Sequence, residues 1–406
     1  MRISTLQIFG VANNSISEAN EAILKTQTQL STGQRVLTPA DDPVAATKMM
    51  QLDKELATLE QYGKNISVAE NNLTAEEAAI DGVLNLVQRI RELAVQAGNV
   101  GTQTPADYVA ISSEVDSRLD ELFNMVNTQN AGGDYIFGGY KGGEQPFIGN
   151  ASSGFVYQGD SGQMQIKISN NTSVPVSDSG QKLFVDIPSA QNTFSTSVNP
   201  ANQSVPPLTV NLGQVVDQNA YDAFYPEDMV ITFNSASDLT ITERSTGNVI
   251  VANQTYTSGA EIQVNGASFR VFGAPVAGDQ VFIDSADTQD VLTTLAHFSA
   301  AMKQYDGSDQ TAEILLTNIS DTLDNLDNTQ TNLLETTSEL GARFNTMEGT
   351  KELHLDTVTV SKEILSDLQD VDFAEASTRL AAQILILEAA QASFLRVSQL
   401  SLFSRL

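Results

Sequence analysis

The chain has 406 residues, more than one compact core usually holds, so we expect two or three domains. Its formal net charge of -29 argues against binding nucleic acid and against insertion into an anionic membrane, because phosphate groups attract clustered Lys and Arg. The absence of cysteine excludes disulfides, thiolate nucleophiles and Cys-ligated zinc.

The first seventeen residues do not resemble a cleavable signal peptide. They contain one basic residue, Arg2, and Asn13, Asn14 and Ser15 interrupt their apolar positions. No run of about 18 apolar residues occurs in the sequence, so no transmembrane helix is predicted. If the protein leaves the cell, we expect export without the ordinary secretory signal.

The first predicted helix carries a coiled-coil-like stripe. Its apolar positions are spaced seven apart, at Ile16, Ile23, Leu30 and Leu37. Gly33 is predicted to end this helix as a left-handed cap, which would place Leu37 just beyond the helix.

A second, longer helix is predicted to begin at Asp42-Pro43, because Asp is a favoured N-cap and Pro is favoured at the first helical position. The seven-residue spacing continues along it at Ile66, Leu73, Ile80, Val87 and Ala94. A turn at 98–101 and a second capping pattern at Thr104-Pro105, with Asp107, predict a return helix. The front of the chain is therefore predicted to be helical.

The middle of the chain is predicted to form strands. Eight of the eleven prolines lie between Pro146 and Pro275, and proline breaks helices. Apolar and polar residues alternate around Asn265-Gly266, a pair that suits the turn of a β-hairpin.

The back of the chain is predicted to be helical again from about residue 288. Between Val371 and Leu406 there is neither glycine nor proline. One stripe of that stretch contains Leu380, Ile384, Leu387 and Phe394, and further apolar residues spread around it: Leu385, Leu395, Leu400, Leu402 and Phe403. A helix that is apolar on more than one face is buried either in its own core or against other subunits. The matching amphipathic helix at the other end of the chain favours contact with other subunits.

The predicted fold is therefore a multidomain α+β protein, with a long helical coiled coil or bundle built from both chain ends and an inserted β-rich domain. Three domains are predicted, at 1–42 with 366–406, at 43–137 with 289–365, and at 138–288. The candidate subunit-interface residues are Ile16, Ile23, Leu30, Leu37, Leu380, Ile384, Leu387, Phe394, Leu395, Leu400, Leu402 and Phe403.

Catalytic patterns are weak. His297 and His354 are far apart in sequence, and neither belongs to a His-Glu-x-x-His zinc motif. The glycines at 138–143 lack the Gly-Lys-Ser/Thr ending of a phosphate loop. Asp41 and Asp42 are explained by a turn and a helix cap. We therefore predict a protein that is not an enzyme and that needs no cofactor and no metal.

Several short segments resemble the flagellin family. Near the N-terminus these are Leu30-Ser31-Thr32-Gly33-Gln34-Arg35-Val36 and the turn at Asp41-Asp42, and further on Asn127-Thr128-Gln129-Asn130 and Leu340-Gly341-Ala342-Arg343-Phe344-Asn345. The segments Tyr135-Ile136-Phe137-Gly138-Gly139, Asp372-Phe373-Ala374-Glu375-Ala376 and Leu400-Ser401-Leu402-Phe403 are similar to those of the family's junction proteins.

This resemblance implies a structural subunit of the bacterial flagellum, exported through the flagellar type III apparatus and located outside the cell. Its terminal helices would form an inner tube, the helical bundle would surround them, and the β domain would face outward. The implied partners are copies of the same chain in a ring, hook-associated protein 1 on one side, flagellin on the other, and a flagellar export chaperone before assembly.

Two other functions remain open at this point. The chain could be flagellin itself, the filament subunit, which has the same export and packing. It could also be a surface adhesin that binds through the β domain, where Tyr221, Phe224 and Tyr225 would line a site. A β core uses aromatic residues in the same way, and we favour that interpretation of the three residues.

Overall fold

The computed structural model describes residues 5–99, 103–151 and 154–403. Long helices lie towards both ends of these ranges, and the strands lie between them. The helices are α1 (Thr5–Thr32), α2 (Pro43–Ala97), α3 (Pro105–Val126), α4 (Gln218–Asp222), α5 (Val291–Gln304), α6 (Asp309–Gln369) and α7 (Phe373–Phe403), with a one-turn π-helix at Gln181–Val185. None of the helices in these ranges is both long and apolar enough to cross a membrane.

The helix boundaries follow the local capping residues. Gly33 has a φ of 72° and ends α1, as predicted. The Asp42 carboxylate accepts a hydrogen bond from the Ala45 N–H at 2.9 Å and caps the start of α2. Thr104 and Asp107 form a reciprocal capping box at the start of α3. These predicted boundaries are confirmed.

The middle of the chain forms antiparallel sheets. The strands are β1 (Phe147–Asn150), β2 (Gly154–Tyr157), β3 (Gln165–Lys167), β4 (Ser173–Pro175), β5 (Pro188–Val198), β6 (Thr209–Val210), β7 (Gln214–Val215), β8 (Met229–Ser235), β9 (Asp238–Glu243), β10 (Val249–Thr255), β11 (Glu261–Val264), β12 (Ala267–Phe272) and β13 (Gln280–Thr288). A five-stranded sheet has the order β10-β9-β8-β13-β5, and a second sheet has the order β11-β12-β6, with β7 also paired to β12. The strand pairs β1-β2 and β3-β4 are separate. The predicted hairpin at Asn265-Gly266 is confirmed, with φ of 47° and 79° at its two turn residues.

The chain divides into two compact units, Met1–Lys64 with Gly349–Leu406 and Asn65–Glu348. In the second unit, the predicted stripe on α2 is buried: Ile66, Leu73, Ile80, Val87 and Ala94 are all 0% exposed. This stripe packs with α3, α5, α6, the strands β1 to β4 and the π-helix in clusters that include Phe137, Leu295 and Leu333.

A separate cluster of apolar side chains fills the space between the two larger sheets. It contains Ile231, Phe233, Phe269 and Tyr221. The hydroxyl of Tyr221 donates to the Thr193 carbonyl at 2.7 Å, and Phe224 and Tyr225 pack against the same cluster. These aromatic residues therefore belong to a β core. The protein is of the α+β class, with helical ends around a β-rich middle, as predicted.

Candidate assembly surface on the terminal helices

In the first unit, α1 and α7 pack against each other. The end of α1 adjoins the start of α7, because the N–H of Val371 donates to the Gly33 carbonyl at 2.9 Å and the N–H of Arg35 donates to the Gln369 carbonyl at 2.6 Å. Further along, the Arg379 guanidinium donates to the Gln29 side chain at 3.2 Å. Because the end of α1 lies beside the start of α7 and the two helices stay in contact beyond that point, they run antiparallel.

The less exposed positions of both helices recur with alternating steps of three and four residues. On α1 they are Ala12, Ile16, Ala19, Ile23, Thr26 and Leu30, and on α7 they are Ala376, Leu380, Gln383, Leu387, Ala390 and Phe394. This is the a/d spacing of a coiled-coil seam. Most of these side chains are only partly buried, so the helix pair alone does not remove them fully from solvent.

The predicted interface residues fall into three groups. Six lie on the seam: Ile16, Ile23, Leu30, Leu380, Leu387 and Phe394. Ile384 and Leu395 point away from it and are 43% and 58% exposed. Leu37 lies in the turn after α1 and is partly buried, while the side chains of Leu400, Leu402 and Phe403 lie outside the described residues.

The outward face of α7 presents consecutive large apolar side chains. Leu385 is 67% exposed and Ile386 is 60% exposed, directly after the exposed Ile384. Exposed large apolar side chains grouped in this way make the outward half of α7 the candidate surface for protein–protein contact. Burying a fully exposed Leu or Ile side chain contributes about 1.5–3 kcal/mol, so covering each of these partly exposed side chains contributes less than that.

Gln383 is the polar residue on the α7 side of the seam. Its Oε1 atom is buried and accepts no hydrogen bond from any described residue. A buried acceptor without a donor costs about 1–3 kcal/mol, so a donor supplied from outside this helix pair would stabilise it. The prediction from apolar residues did not include Ala376, Gln383 and Ala390, although these three positions are spaced seven residues apart and lie on the seam.

The turn between α1 and α2 is held by polar contacts to α1 and to the end of α6. Asp41 pairs with Lys25 on α1, and its Oδ2 accepts the N–H of Thr38 at 2.8 Å. The hydrogen bond from Lys25 and the backbone N–H of Thr38 lower the pKa of Asp41 to about 2. The guanidinium of Arg35 donates to the Leu368 carbonyl near the end of α6 at 2.8 Å. The motif residues of this segment therefore fix the place where α1 and α7 meet.

Replacing Gly33 with alanine should destabilise this turn by about 1 kcal/mol, because an L-residue pays a backbone cost at positive φ. Space is not the reason, since an added Cβ would come no closer than 4.0 Å to Phe373. Thermal unfolding followed by circular dichroism measures the effect. Asparagine tolerates the left-handed region, so Gly33→Asn is the matched control and should lose less. Equal losses in the two variants would contradict this explanation.

The two histidines occupy packing positions. His297 on α5 contacts the Gln214 side chain, and burial lowers its pKa to about 4. The ring of His354 stacks on Tyr62 with 5.7 Å between centroids. Among the described residues, no group of three or more His, Asp or Glu side chains is placed to hold a metal ion. The surface of the terminal helices is therefore the candidate functional site.

The described residues thus combine helices near both chain ends, a β-rich middle, and apolar surface left on the terminal helices. Residues 3–142 match the family model of the bacterial flagellin N-terminal helical region. Over 189 residues, or 47% of this chain, the sequence is 30% identical to flagellar hook-associated protein 3 of Escherichia coli. The matched part is 58% of that relative's length, so the chain spans rather more than half of it.

Solved structures agree with the sequence relatives. Flagellar hook associated protein-3 from Legionella pneumophila is 26% identical, with a TM-score of 0.54, and the match covers 79% of this chain and 98% of that one. A structure described as the flagellar junction protein from the same organism is also 26% identical, with a TM-score of 0.51 over 80% of this chain and 100% of the other. The chain is therefore similar to flagellar hook-associated protein 3, in sequence over about half of its length and in fold over most of it.

Proposed function

We propose that this protein is a non-enzymatic structural subunit that joins the flagellar hook to the filament. The observation that carries the proposal is the apolar outer face of α7 at 384–386, on a helix pair whose seam is only partly buried. Such a surface suits a subunit that completes its burial in an assembly. The names of the relatives, hook-associated protein 3 and flagellar junction protein, indicate which assembly.

The proposed partners follow from this position. Copies of the chain would form a ring through the terminal helices, and the ring would contact hook-associated protein 1 on one side and flagellin on the other. Before assembly, a flagellar export chaperone would cover the apolar face of α7. The protein would then act outside the cell, as part of the flagellum.

We also propose that each of the three predicted domains has a separate place in the assembly. Residues 1–42 with 366–406 would form the inner tube, residues 43–137 with 289–365 the bundle around it, and residues 138–288 the outer part. The seam on α1 and α7 supports the first of these roles, because its residues Ile16, Ile23, Leu380 and Leu387 remain partly exposed in the single subunit.

The main alternative is that the chain is flagellin, which the match of residues 3–142 to the flagellin family model favours. The similarity to hook-associated protein 3 in both sequence and fold favours the junction subunit. An adhesin that acts through the β region gains no support from Tyr221, Phe224 and Tyr225, since these residues pack in the β core.

Deletion of the gene for this chain in its own host tests the proposal. We expect cells with bare hooks and unpolymerised flagellin in the culture medium, visible by electron microscopy and immunoblotting. Re-expression of the unaltered chain should restore filaments and serves as the control. Loss of filaments without any flagellin in the medium would identify the chain as flagellin, and normal filaments would refute a junction role.

A further inference from the structure

A buried cluster of charged residues connects three distant parts of the second unit. Glu76 lies on α2, Asp178 lies between β4 and the π-helix, and Arg343 lies on α6. The side chain of Asp178 is 0% exposed and that of Arg343 is 11% exposed, while Glu76 as a whole is 0% exposed. The cluster therefore ties the polypeptide before the π-helix to two long helices, in an interior from which water is largely excluded.

The hydrogen bonds of the cluster are unequally shared between the two acids. Arg343 donates to both Asp178 carboxylate oxygens, at 2.7 and 3.0 Å, and the Gln163 side chain donates a third bond at 2.5 Å. Glu76 receives one, from the backbone N–H of Asp178 to its Oε1 atom at 2.8 Å. Its Oε2 atom is buried and has no hydrogen-bond partner among the described residues.

The charges do not balance if both acids are ionised. The Arg343 guanidinium directs its paired N–H groups at Asp178 and also donates to Glu339 at 3.5 Å, so Glu76 lies beside a cation that already has two carboxylate partners. The other charged groups near the cluster are Lys182 on the π-helix and Glu339 on α6, which bond each other at 2.9 Å. Lys182 comes no closer than 4.0 Å to Asp178. A buried carboxylate that lacks a cation and a donor is disfavoured relative to the neutral acid.

We propose that Glu76 is held as a neutral carboxylic acid and that the cluster is a pH-sensitive latch, which fastens residues 163–180 to α2 and α6 and loosens when Glu76 loses its proton in alkaline medium. A protonated Oε2 becomes a hydroxyl beside the Asp178 carboxylate and can donate to it. The cluster then contains one negative and one positive charge.

The electrostatic environment agrees with this geometry. Burial, and after it the charge of Asp178, raises the pKa of Glu76 from 4.5 to about 8, although the Asp178 N–H and Arg343 act in the opposite direction. The folded state therefore holds this proton more tightly than the opened state does. The stabilisation from the proton is complete below pH 4.5 and is lost as the pH rises through about 8.

Hydrogen exchange of the full-length chain at pH 6 and pH 8, corrected for the chemical exchange rate, tests the latch. We expect the opening constant of amides in 163–180 to rise by at least about tenfold between the two pH values, because the opened state releases the proton. In Glu76→Gln the rise should disappear, since the amide keeps an acceptor for the Asp178 N–H and cannot ionise. The matched control is Glu77→Gln, which removes a carboxyl group one residue away and should keep the pH dependence.

A flat response of these amides in the unaltered protein, or an undiminished response in Glu76→Gln, would overturn the proposal. If Glu76→Gln fails to fold, infrared spectroscopy of the unaltered protein gives the answer. A protonated carboxyl band at pH 6 that vanishes by pH 9 is expected, and a spectrum without that band at pH 6 would refute the neutral acid.

Discussion

Replacing Leu385 with aspartate should leave the isolated subunit folded and prevent it from assembling. Leu385 is 67% exposed on the outward face of α7, so the substitution removes little burial within the subunit and costs mainly the small difference in helix propensity. In an assembly that covers this face, the same substitution would bury an unpaired charge, which proteins strongly disfavour. Circular dichroism of the purified chain and filament counts in the deletion strain measure the two effects.

Leu387→Asp is the informative comparison, because Leu387 lies on the seam towards α1 rather than on the outward face. We expect this variant to fail in assembly as well, but with a measurable loss of helix in the isolated subunit. Leu385→Ala keeps this face uncharged and should restore some filaments in the deletion strain. Normal filaments in cells carrying Leu385→Asp would show that the outward face of α7 is not a subunit contact.

Replacing Arg343 with alanine should destabilise the second unit by about 3–5 kcal/mol, because the buried Asp178 carboxylate then loses its paired guanidinium and keeps only Lys182, 4.0 Å away. Arg91 provides a matched control on α2. It pairs with Asp327 on α6 at 2.6 Å, but both side chains are about half exposed, and such pairs contribute at most about 1 kcal/mol. Denaturant unfolding of Arg343→Ala and Arg91→Ala, with hydrogen exchange to locate the loss, compares them.

A difference of less than about 1 kcal/mol between these two variants would mean that Asp178 finds another partner or becomes protonated when the guanidinium is removed. The exchange data separate this outcome from general unfolding. We expect the loss of protection in Arg343→Ala to begin in 163–180, where Asp178 and Gln163 lie, and the β core around Phe233 and Phe269 to keep its protection.

Local chemistry made the helix boundaries and the hairpin predictable. Gly33, Asp42-Pro43 and Asn265-Gly266 each act on backbone within a few residues, so their effect does not depend on the rest of the fold. Strand order could not be predicted in the same way. The pairing of β13 with both β5 and β8 depends on contacts between residues far apart in the chain.

The candidate site was predictable only in part. Spacing by seven identified Leu380, Leu387 and Phe394, which lie on the seam. It also grouped Ile384 with them, because the seam position 383 is a glutamine and the large apolar residue nearest to it is Ile384. The structure places Gln383 on the seam and Ile384 outside it. Apolar spacing alone could not show that a polar residue occupies a position on the seam.

The buried acid cluster was missed because its members are 102 and 165 positions apart in the sequence. One local indication was present. Glu76 lies three residues after Leu73 and four before Ile80, and therefore on the apolar stripe of α2. A charged residue on a buried helix face needs a partner, and a search for that partner would have started there.

The pairing of β5 with β13 has a consequence for how chains with this fold can vary. Thr288 at the end of β13 is paired with Pro188 at the start of β5, and the N–H of Gln289 donates to the Ile187 carbonyl at 2.8 Å. The segment from Pro188 to Thr288 therefore begins and ends at neighbouring positions. It also has its own apolar core. For the rest of the chain this segment is a closed loop, and the entropic cost of closing a loop rises only slowly with the number of residues in it. The paired ends of β5 and β13 are therefore a point at which a whole inserted domain can be gained, lost or replaced while the sequence of the helices stays the same.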